Sequence, residues 1–259
     1  MNPGRDQDKK VQMLTSEIGY GLFDCDNHMY EPRDSFTRHI EPRWRDHAVR
    51  AVKEGDREII LVGERKMTFM EGYELYDLVG RPGSLKEMLH QMKSGIVNEG
   101  DYQWEPPRPE YLDREARLAK MDEQGVDACL LFPSVAGVVE HFFEGPEPLY
   151  ANYCAFNRWL EETWGFAHQD RIYALPSLSL CDLDLALAEL DWVLSKGAKV
   201  VSMRPGPVAG RSPGDPYFDP FWARLNEAKA TVAFHLTESG YNEHTSTAWG
   251  EAANPPNFG

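Results

Sequence analysis

Short apolar runs and longer stretches of helical periodicity alternate along most of this chain. Five runs are almost continuously apolar, and they cover residues 20–25, 126–133, 171–180, 198–203 and 231–236. Runs of this kind are typical of strands that are buried on both faces of a parallel sheet. Their alternation with helices predicts an α/β fold, either an open doubly wound sheet or a (β/α)8 barrel.

Helical periodicity predicts four helices between these strands, at about residues 112–124, 150–167, 183–196 and 218–230. Gly125 is expected to end the first of them. Asp182 is a suitable N-cap for the third helix, and Gly197 is expected to end it. The third helix also carries an apolar stripe formed by Leu183, Leu187, Leu190 and Leu194. That stripe predicts the face that the helix turns towards the sheet.

The chain is predicted to form one domain with a long insertion. Residues 1–18 are polar and lack sustained periodicity, so they are interpreted as an N-terminal arm. Residues 19–259 form the domain, and residues 33–110, which are rich in Arg, Glu, Gly and Pro, form an inserted subdomain after the first strand. This subdomain is expected either to cover the mouth of a barrel or to contact a second subunit.

Two local signals predict structure inside the insertion. Gly63 and Glu64 separate two apolar runs and suit the two-residue turn of a β-hairpin. Ser84 and Glu87 form a capping box, which predicts a helix that ends at Gly95.

Composition and charge exclude several kinds of partner. The 259 residues carry a formal net charge of −15 without a lysine-rich block, which argues against nucleic acid or an anionic membrane as a partner. No apolar run approaches the roughly 20 residues that span a bilayer, and the first residues lack the apolar core of a secretory signal. The 4 cysteines are scattered without a CxxC pair, so reduced thiols and a cytoplasmic location are expected.

Three common enzyme classes lack their motif in the context that it requires. The first predicted strand is not followed by GxGxxG, and the chain contains no GxxxxGK followed by Ser or Thr. The one GxSxG match, GRSPG at 210–214, lies in a predicted loop and not at the strand-to-helix elbow of a serine hydrolase. Hypotheses of dinucleotide binding, nucleotide binding and serine hydrolysis therefore have no support.

Residues with the chemistry of metal ligands stand where the predicted strands end. Because side chains alternate along a strand, Asp24, Asp26 and His28 are expected to share one face at the end of the first strand. His235 lies in the fifth strand, and in a barrel the strand ends converge on one side. Asp26, His28 and His235 offer the carboxylate and imidazole ligands that suit zinc, manganese or iron. We therefore predict a metal site, the alternative being that each histidine is a hydrogen-bonded structural residue.

Two further residues are candidates for binding a substrate. Arg204 follows the fourth predicted strand, where its planar guanidinium could hold a carboxylate, and an ion pair at the surface is the alternative. His244 lies in the loop after the fifth strand and could reach the same pocket. Other polar residues at the predicted strand ends are Ser134, Ser177, Ser179 and Glu238.

Five segments, in the order in which they occur, carry a family resemblance. They are FDCDNHMYEP at 23–32, RLAKMDEQGVDACLLFP at 117–133, NYCAFNRW at 152–159, DPFW at 219–222 and FHLTESG at 234–240. Through them the chain resembles the amidohydrolase-related branch of the amidohydrolase superfamily, which includes aminocarboxymuconate-semialdehyde decarboxylase and gamma-resorcylate decarboxylase.

This resemblance implies a (β/α)8 TIM barrel of the metal-dependent hydrolase type. It also implies one divalent ion, zinc or manganese, held by an HxH or ExH pair after the first strand, a His on the fifth strand and an Asp on the eighth. Asp26 and His28 match the pair, with Asp at its first position, and His235 matches the fifth-strand ligand. Only five strands are predicted before Gly259, so the sequence is expected to be a fragment that lacks the last three strands and the eighth-strand ligand.

The function implied by the resemblance is metal-dependent, non-oxidative decarboxylation of a small aromatic or unsaturated carboxylic acid. Two alternatives stay open. One is metal-dependent hydrolysis of a small amide, ester or lactone, and the other is a catalytically inactive barrel that serves as a binding module. The resemblance also implies a homodimer or a larger homo-oligomer.

Overall fold

From residue 114 to residue 234, parallel strands alternate with α-helices. The computed structural model describes residues 19–55, 57–67, 76–84, 104–235 and 249–250. Its strands are β1 (Phe23–His28), β2 (Val49–Glu54), β3 (Arg57–Val62), β4 (Arg65–Lys66), β5 (Val79–Gly80), β6 (Trp104–Glu105), β7 (Ala128–Phe132), β8 (Ile172–Ala174), β9 (Ser177–Leu178), β10 (Val200–Met203) and β11 (Thr231–Phe234). Its α-helices are α1 (Arg114–Gln124), α2 (Pro146–Thr163), α3 (Leu183–Ser195) and α4 (Asp219–Ala228).

Six of these strands form two parallel sheets, in the orders β1-β7-β8 and β9-β10-β11. The third predicted strand is split into β8 and β9 at Pro176, which has no N–H to donate to a neighbouring strand. The backbone nevertheless continues from one sheet to the other. Leu175 donates its N–H to the carbonyl of Leu131 at 3.1 Å, and the carbonyl of Pro176 accepts from the N–H of Ser202 at 2.8 Å.

The order of the parallel strands resembles the wall of a barrel. Along the row, β1 is followed by β7, then by β8 and its continuation β9, then by β10 and finally by β11. Each parallel strand therefore lies next to the parallel strand that precedes it in the chain. An open doubly wound sheet would reverse its order at a switch point. The prediction of a mixed α/β fold is confirmed, but the strands within the described ranges do not close into a barrel. At the two ends of the row, Phe23 of β1 and Phe234 of β11 are 46% and 51% exposed.

Local sequence signals account for the ends of the helices. The carboxylate of Asp182 accepts the N–H of Leu185 at 2.9 Å at the start of α3, and Gly125 ends α1 with a left-handed φ of 69°. The buried face of α3 differs from the predicted leucine stripe. It contains Ala186, Glu189, Leu190 and Val193, whereas Leu183, Leu187 and Leu194 are only partly buried. On this face the buried Glu189 accepts a hydrogen bond from Asn157 of α2 at 2.9 Å.

The insertion contributes two small antiparallel sheets, β2-β3-β4 and β5-β6. Gly63 has a φ of 59°, which the first central position of the predicted hairpin turn requires. The predicted helix after Ser84 lies outside the described residues. Asn152 of α2 accepts the N–H of Val49 at 2.9 Å and donates to the carbonyl of His47 at 3.0 Å. These two hydrogen bonds connect the sheet β2-β3-β4 and the residue segment before it to α2.

Aromatic side chains of α2 and the turn after it fill much of the core. Phe156, Trp159 and Trp164 are each no more than 1% exposed. Of the helices that the structure describes, none is both long and apolar enough to cross a bilayer. All four cysteines are free thiols, and Cys129 is buried in the core.

Candidate metal centre

Three side chains from the two outermost parallel strands meet at one point. Oδ1 of Asp26 lies 2.9 Å from Nε2 of His235, and Nε2 of His28 lies 3.2 Å from the same nitrogen. The third side of the triangle, from Nε2 of His28 to Oδ1 of Asp26, measures 3.5 Å. Asp26 and His28 belong to β1, and His235 directly follows β11. Thus the structure brings together the three residues that the sequence suggested as ligands.

The dimensions of this triangle fit a single metal ion. Ligands about 2.1 Å from one ion are about 3.0 Å apart at octahedral angles and about 3.4 Å apart at tetrahedral angles. The three observed separations of 2.9, 3.2 and 3.5 Å cover that range. Two imidazole nitrogens and a carboxylate oxygen that face one another need a shared proton or a cation between them. One carboxylate with two imidazoles suits zinc, manganese or iron.

The surroundings favour the protonation states in which these groups bind metal. The hydrogen bond with His235 lowers the pKa of Asp26, so its carboxyl group is held ionised. Burial lowers the pKa of His28, so its imidazole is held neutral. Metal ligands bind as the carboxylate and as the neutral imidazole. Asp26 and His28 are therefore already in these states at neutral pH.

A β-bulge in β1 corrects the predicted position of Asp24 on the strand. Phe23 and Asp24 pair with Ala128 and Cys129, but Asn27 and His28 pair with Leu131 and Phe132. Two residues, Cys25 and Asp26, therefore stand opposite Leu130 alone. An extra residue of this kind reverses the alternation of side chains beyond it. The expectation that Asp24 shares one face with Asp26 and His28 is wrong.

Asp24 belongs instead to a hydrogen-bonded chain behind the site. Its Oδ2 accepts a hydrogen bond from Nδ2 of Asn27 at 2.8 Å. Oδ1 of Asn27 accepts one from Nη1 of Arg117 at 2.7 Å, and Nη2 of Arg117 donates to the carbonyl of His28 at 3.0 Å. Arg117 comes from the buried face of α1, and it fixes the backbone that carries His28. A charged residue on an otherwise apolar helix face was the sequence signal for this role.

Next to the triangle is a pocket that combines apolar and polar walls. Its lining includes Phe132, Tyr153, Ser177, Arg204 and His235. The ring of Phe132 packs against that of His235 at a centroid distance of 4.7 Å. The pocket therefore joins the proposed metal ligands to the predicted anion-binding arginine.

Arg204 is partly buried and pairs with the buried Glu140, and not with an acidic group at the surface as in the alternative interpretation. Its Nη1 lies 4.0 Å from Oε1 of Glu140, and the two side chains are 16% and 6% exposed. Ser179 donates to the same carboxylate oxygen at 2.8 Å, and the hydroxyl of Tyr153 lies 3.5 Å from the other one. Burial raises the pKa of Glu140, against the opposing effect of Arg204. The other predicted substrate residue, His244, and the predicted strand-end residue Glu238 lie outside the described ranges.

Glu31 connects the segment after β1 with the pocket wall after β7. Its Oε1 accepts the backbone N–H groups of Ser134, Val135 and Ala136 at 2.9, 2.8 and 3.2 Å. Ser134 donates its hydroxyl to the carbonyl of Met29 at 2.7 Å. The second oxygen, Oε2, is buried and has no hydrogen-bond partner within the described chain. Burial raises the pKa of Glu31 to about 7. Sequence reasoning did not identify this role of Glu31.

Comparisons with known proteins agree on one family. A family model described as Amidohydrolase matches residues 23–258. The crystal structure of an amidohydrolase from Mycobacterium avium subsp. paratuberculosis K-10 is 39% identical over 90% of this chain, with a TM-score of 0.81. The chain spans 63% of the length of that protein.

A second solved structure is more distant. It is the 5-carboxyvanillate decarboxylase of Novosphingobium aromaticivorans DSM 12444, solved with manganese and 4-hydroxy-3-methoxy-5-nitrobenzoic acid. It is 18% identical, covers 63% of this chain and 50% of its own, and has a TM-score of 0.38, a similarity too weak to support an argument. No curated protein matches the chain.

Proposed function

The chain belongs to the amidohydrolase family, and from this membership we propose that it acts as a metal-dependent enzyme on a small carboxylic acid. The observation that carries the proposal is the triangle of Asp26, His28 and His235, whose donor atoms lie 2.9 to 3.5 Å apart beside a pocket. In this proposal the three residues hold one zinc or manganese ion. Such an ion polarises a substrate oxygen or lowers the pKa of a water molecule.

The reaction we propose first is non-oxidative decarboxylation of an aromatic or unsaturated acid. The pocket offers a planar apolar wall in Phe132 and a cation in Arg204, which suit an unsaturated body and a carboxylate respectively. Glu31 and Arg117 keep the walls and the ligand backbone in place, and Arg204 orients the anion. We propose that these strands belong to a (β/α)8 barrel, and their sequential order supports this.

The second candidate is hydrolysis of a small amide, ester or lactone. It is favoured by the description of the matching family and by the name of the relative that is 39% identical. The same pocket would then bind the acid portion of the substrate next to Arg204. This chain spans 63% of the length of that relative. The reaction and the substrate are therefore proposed for the whole protein.

Two measurements test the proposal. Metal analysis of the purified protein should find about one zinc or manganese ion per chain, and His28→Ala or His235→Ala should remove it. His39→Ala is the matched control, because His39 is not part of the triangle. Its Nε2 lies 2.9 Å from Oε2 of Glu162. If the wild-type protein contains no metal, or if both variants keep their full metal content, the proposal of a metal-dependent enzyme fails. The alternative that then remains is the inactive binding module.

The metal-loaded protein should then be incubated with a panel of hydroxybenzoates and with small esters and lactones. Release of carbon dioxide supports decarboxylation, and turnover of esters or lactones without it supports hydrolysis. We also propose a cytoplasmic location, consistent with four free cysteines, and a homodimer or larger homo-oligomer. Light scattering of the purified protein tests the oligomer.

A further inference from the structure

Glu140 is a buried carboxylate that contacts two residues of the pocket from behind. It lies in the turn Glu140–Phe142 after β7 and is 7% exposed. Its Oε1 accepts the hydroxyl of Ser179 at 2.8 Å and lies 4.0 Å from Nη1 of Arg204. Its Oε2 lies 3.5 Å from the hydroxyl of Tyr153. Tyr153 and Arg204 both line the pocket, so Glu140 lies one layer behind its wall.

Ser179 holds this carboxylate in one place. Oγ of Ser179 accepts the N–H of Cys181 at 3.1 Å, which leaves its own proton for Glu140. The N–H of Ser179 donates to the hydroxyl of Tyr150 at 3.2 Å, and that hydroxyl donates to the carbonyl of Ser179. Tyr150 is itself 3% exposed. The carboxylate is therefore fixed, whereas an arginine side chain by itself has many rotamers.

The contact between Glu140 and Arg204 can affect the binding of an anion in two opposite ways. Buried ion pairs add little net stability, because both charges lose their water. A guanidinium that already points in one direction loses less freedom when a ligand binds, which improves affinity about threefold to tenfold. The negative charge of Glu140 by itself would instead repel an anion. The two effects have opposite signs, so a substitution of Glu140 can decide between them.

We propose that Glu140 is a positioning residue that holds the guanidinium of Arg204 in the direction that receives the carboxylate of the substrate. The inference rests on the proposed function, in which Arg204 binds the acid group. Glu140 does not touch the substrate in this arrangement and acts through Arg204.

A double-mutant cycle on Glu140 and Arg204 tests the proposal. Calorimetry on the manganese-loaded protein measures the binding of benzoate and of benzamide, its neutral analogue. Wild type should prefer benzoate, and Glu140→Gln, which keeps the size of the side chain, should reduce this preference about threefold to tenfold. Arg204→Met should abolish the preference, and Glu140→Gln should have no further effect in that background. A merely structural residue would weaken the binding of both ligands in both backgrounds.

Glu144→Gln is the matched control, because this carboxylate belongs to the same segment and is 86% exposed. It should leave the preference for benzoate unchanged. The proposal is overturned if Glu140→Gln keeps or raises the preference, or if its effect persists without Arg204. If Glu140→Gln does not fold, Ser179→Ala replaces it, since this variant keeps the carboxylate but removes the hydroxyl that fixes it. Ser179→Ala should also reduce the preference, and an unchanged preference would overturn the proposal.

The same experiment separates this inference from the proposed function. If the wild type binds no manganese, the proposed metal centre fails, and the cycle on the metal-free protein decides the role of Glu140. If manganese binds and wild type prefers benzoate, but Glu140→Gln acts independently of Arg204, the role of Glu140 fails and the proposed function stands. A wild type without any preference for benzoate would refute both the role of Glu140 and the binding of an acid group by Arg204.

Discussion

Replacing Glu31 by Gln should change how the stability of the protein depends on pH. Glu31 is fully buried, its Oε1 takes three backbone N–H bonds, and its Oε2 takes none from the described chain. Burial raises its pKa from 4.5 to about 7. Between these two values the folded protein holds a proton that the unfolded chain has released, so stability is lost as pH rises.

The magnitude follows from the size of the pKa shift. One pKa unit corresponds to about 1.4 kcal/mol, so wild type should lose about 3 kcal/mol relative to Glu31→Gln between pH 4.5 and pH 7. Above pH 7 the difference should stay constant. Gln cannot ionise, and other titrating groups are common to both proteins and cancel in the comparison.

The assay is urea unfolding of metal-free protein in EDTA at half-unit steps from pH 4.5 to pH 8. Glu144→Gln is the matched control, because that carboxylate is 86% exposed, and its curve should run parallel to wild type. A difference between wild type and Glu31→Gln that stays flat would refute the reasoning. A difference that moves in favour of wild type at high pH would show that the three backbone donors outweigh burial.

Two other substitutions test contacts that hold the site and the insertion in place. Arg117→Met should weaken metal binding about 10- to 100-fold without removing a ligand, because the carbonyl of His28 loses its donor. Competition with a metal-sensitive dye measures the affinity, and an unchanged affinity would contradict this prediction. Asn152→Ala should destabilise the protein by about 2 to 4 kcal/mol, because it leaves the N–H of Val49 and the carbonyl of His47 without their partner. Urea unfolding measures the free energy of unfolding, and a loss below about 0.5 kcal/mol would contradict this prediction.

The sequence predicted the class of fold well because apolar runs and helix caps are local signals. The five predicted strands have counterparts, Asp182 and Gly125 cap helices as expected, and the family assigned from five segments is confirmed. The break at Pro176 was visible as a proline, but its effect depends on which neighbouring strand accepts each hydrogen bond. This pairing is a feature of the tertiary structure, so the periodicity of the sequence does not predict it.

The parts of the candidate site that could be predicted were its three proposed metal ligands and Arg204. Asp26, His28 and His235 carry recognisable chemistry, and the structure brings them together. The error at Asp24 arose because a bulge changes the side-chain phase without changing the sequence pattern. Glu31 was overlooked for a similar reason, and Ser177 was noted only as a polar residue at a strand end. The contacts of these two residues depend on Val135 and Asn157, which are 104 and 20 positions away.

The triangle also has a meaning for chain topology. His28 and His235 are 207 residues apart, yet their nitrogens lie within 3.2 Å of each other. An ion held by both would cross-link β1 and β11, the first and last of the described parallel strands, and closing so long a loop removes much of the freedom of the unfolded chain. Because His235 follows β11, the metal site is complete only when β1 and β11 lie in the same folded row. Metal affinity would then report on the folding of this row as well as on local ligand chemistry.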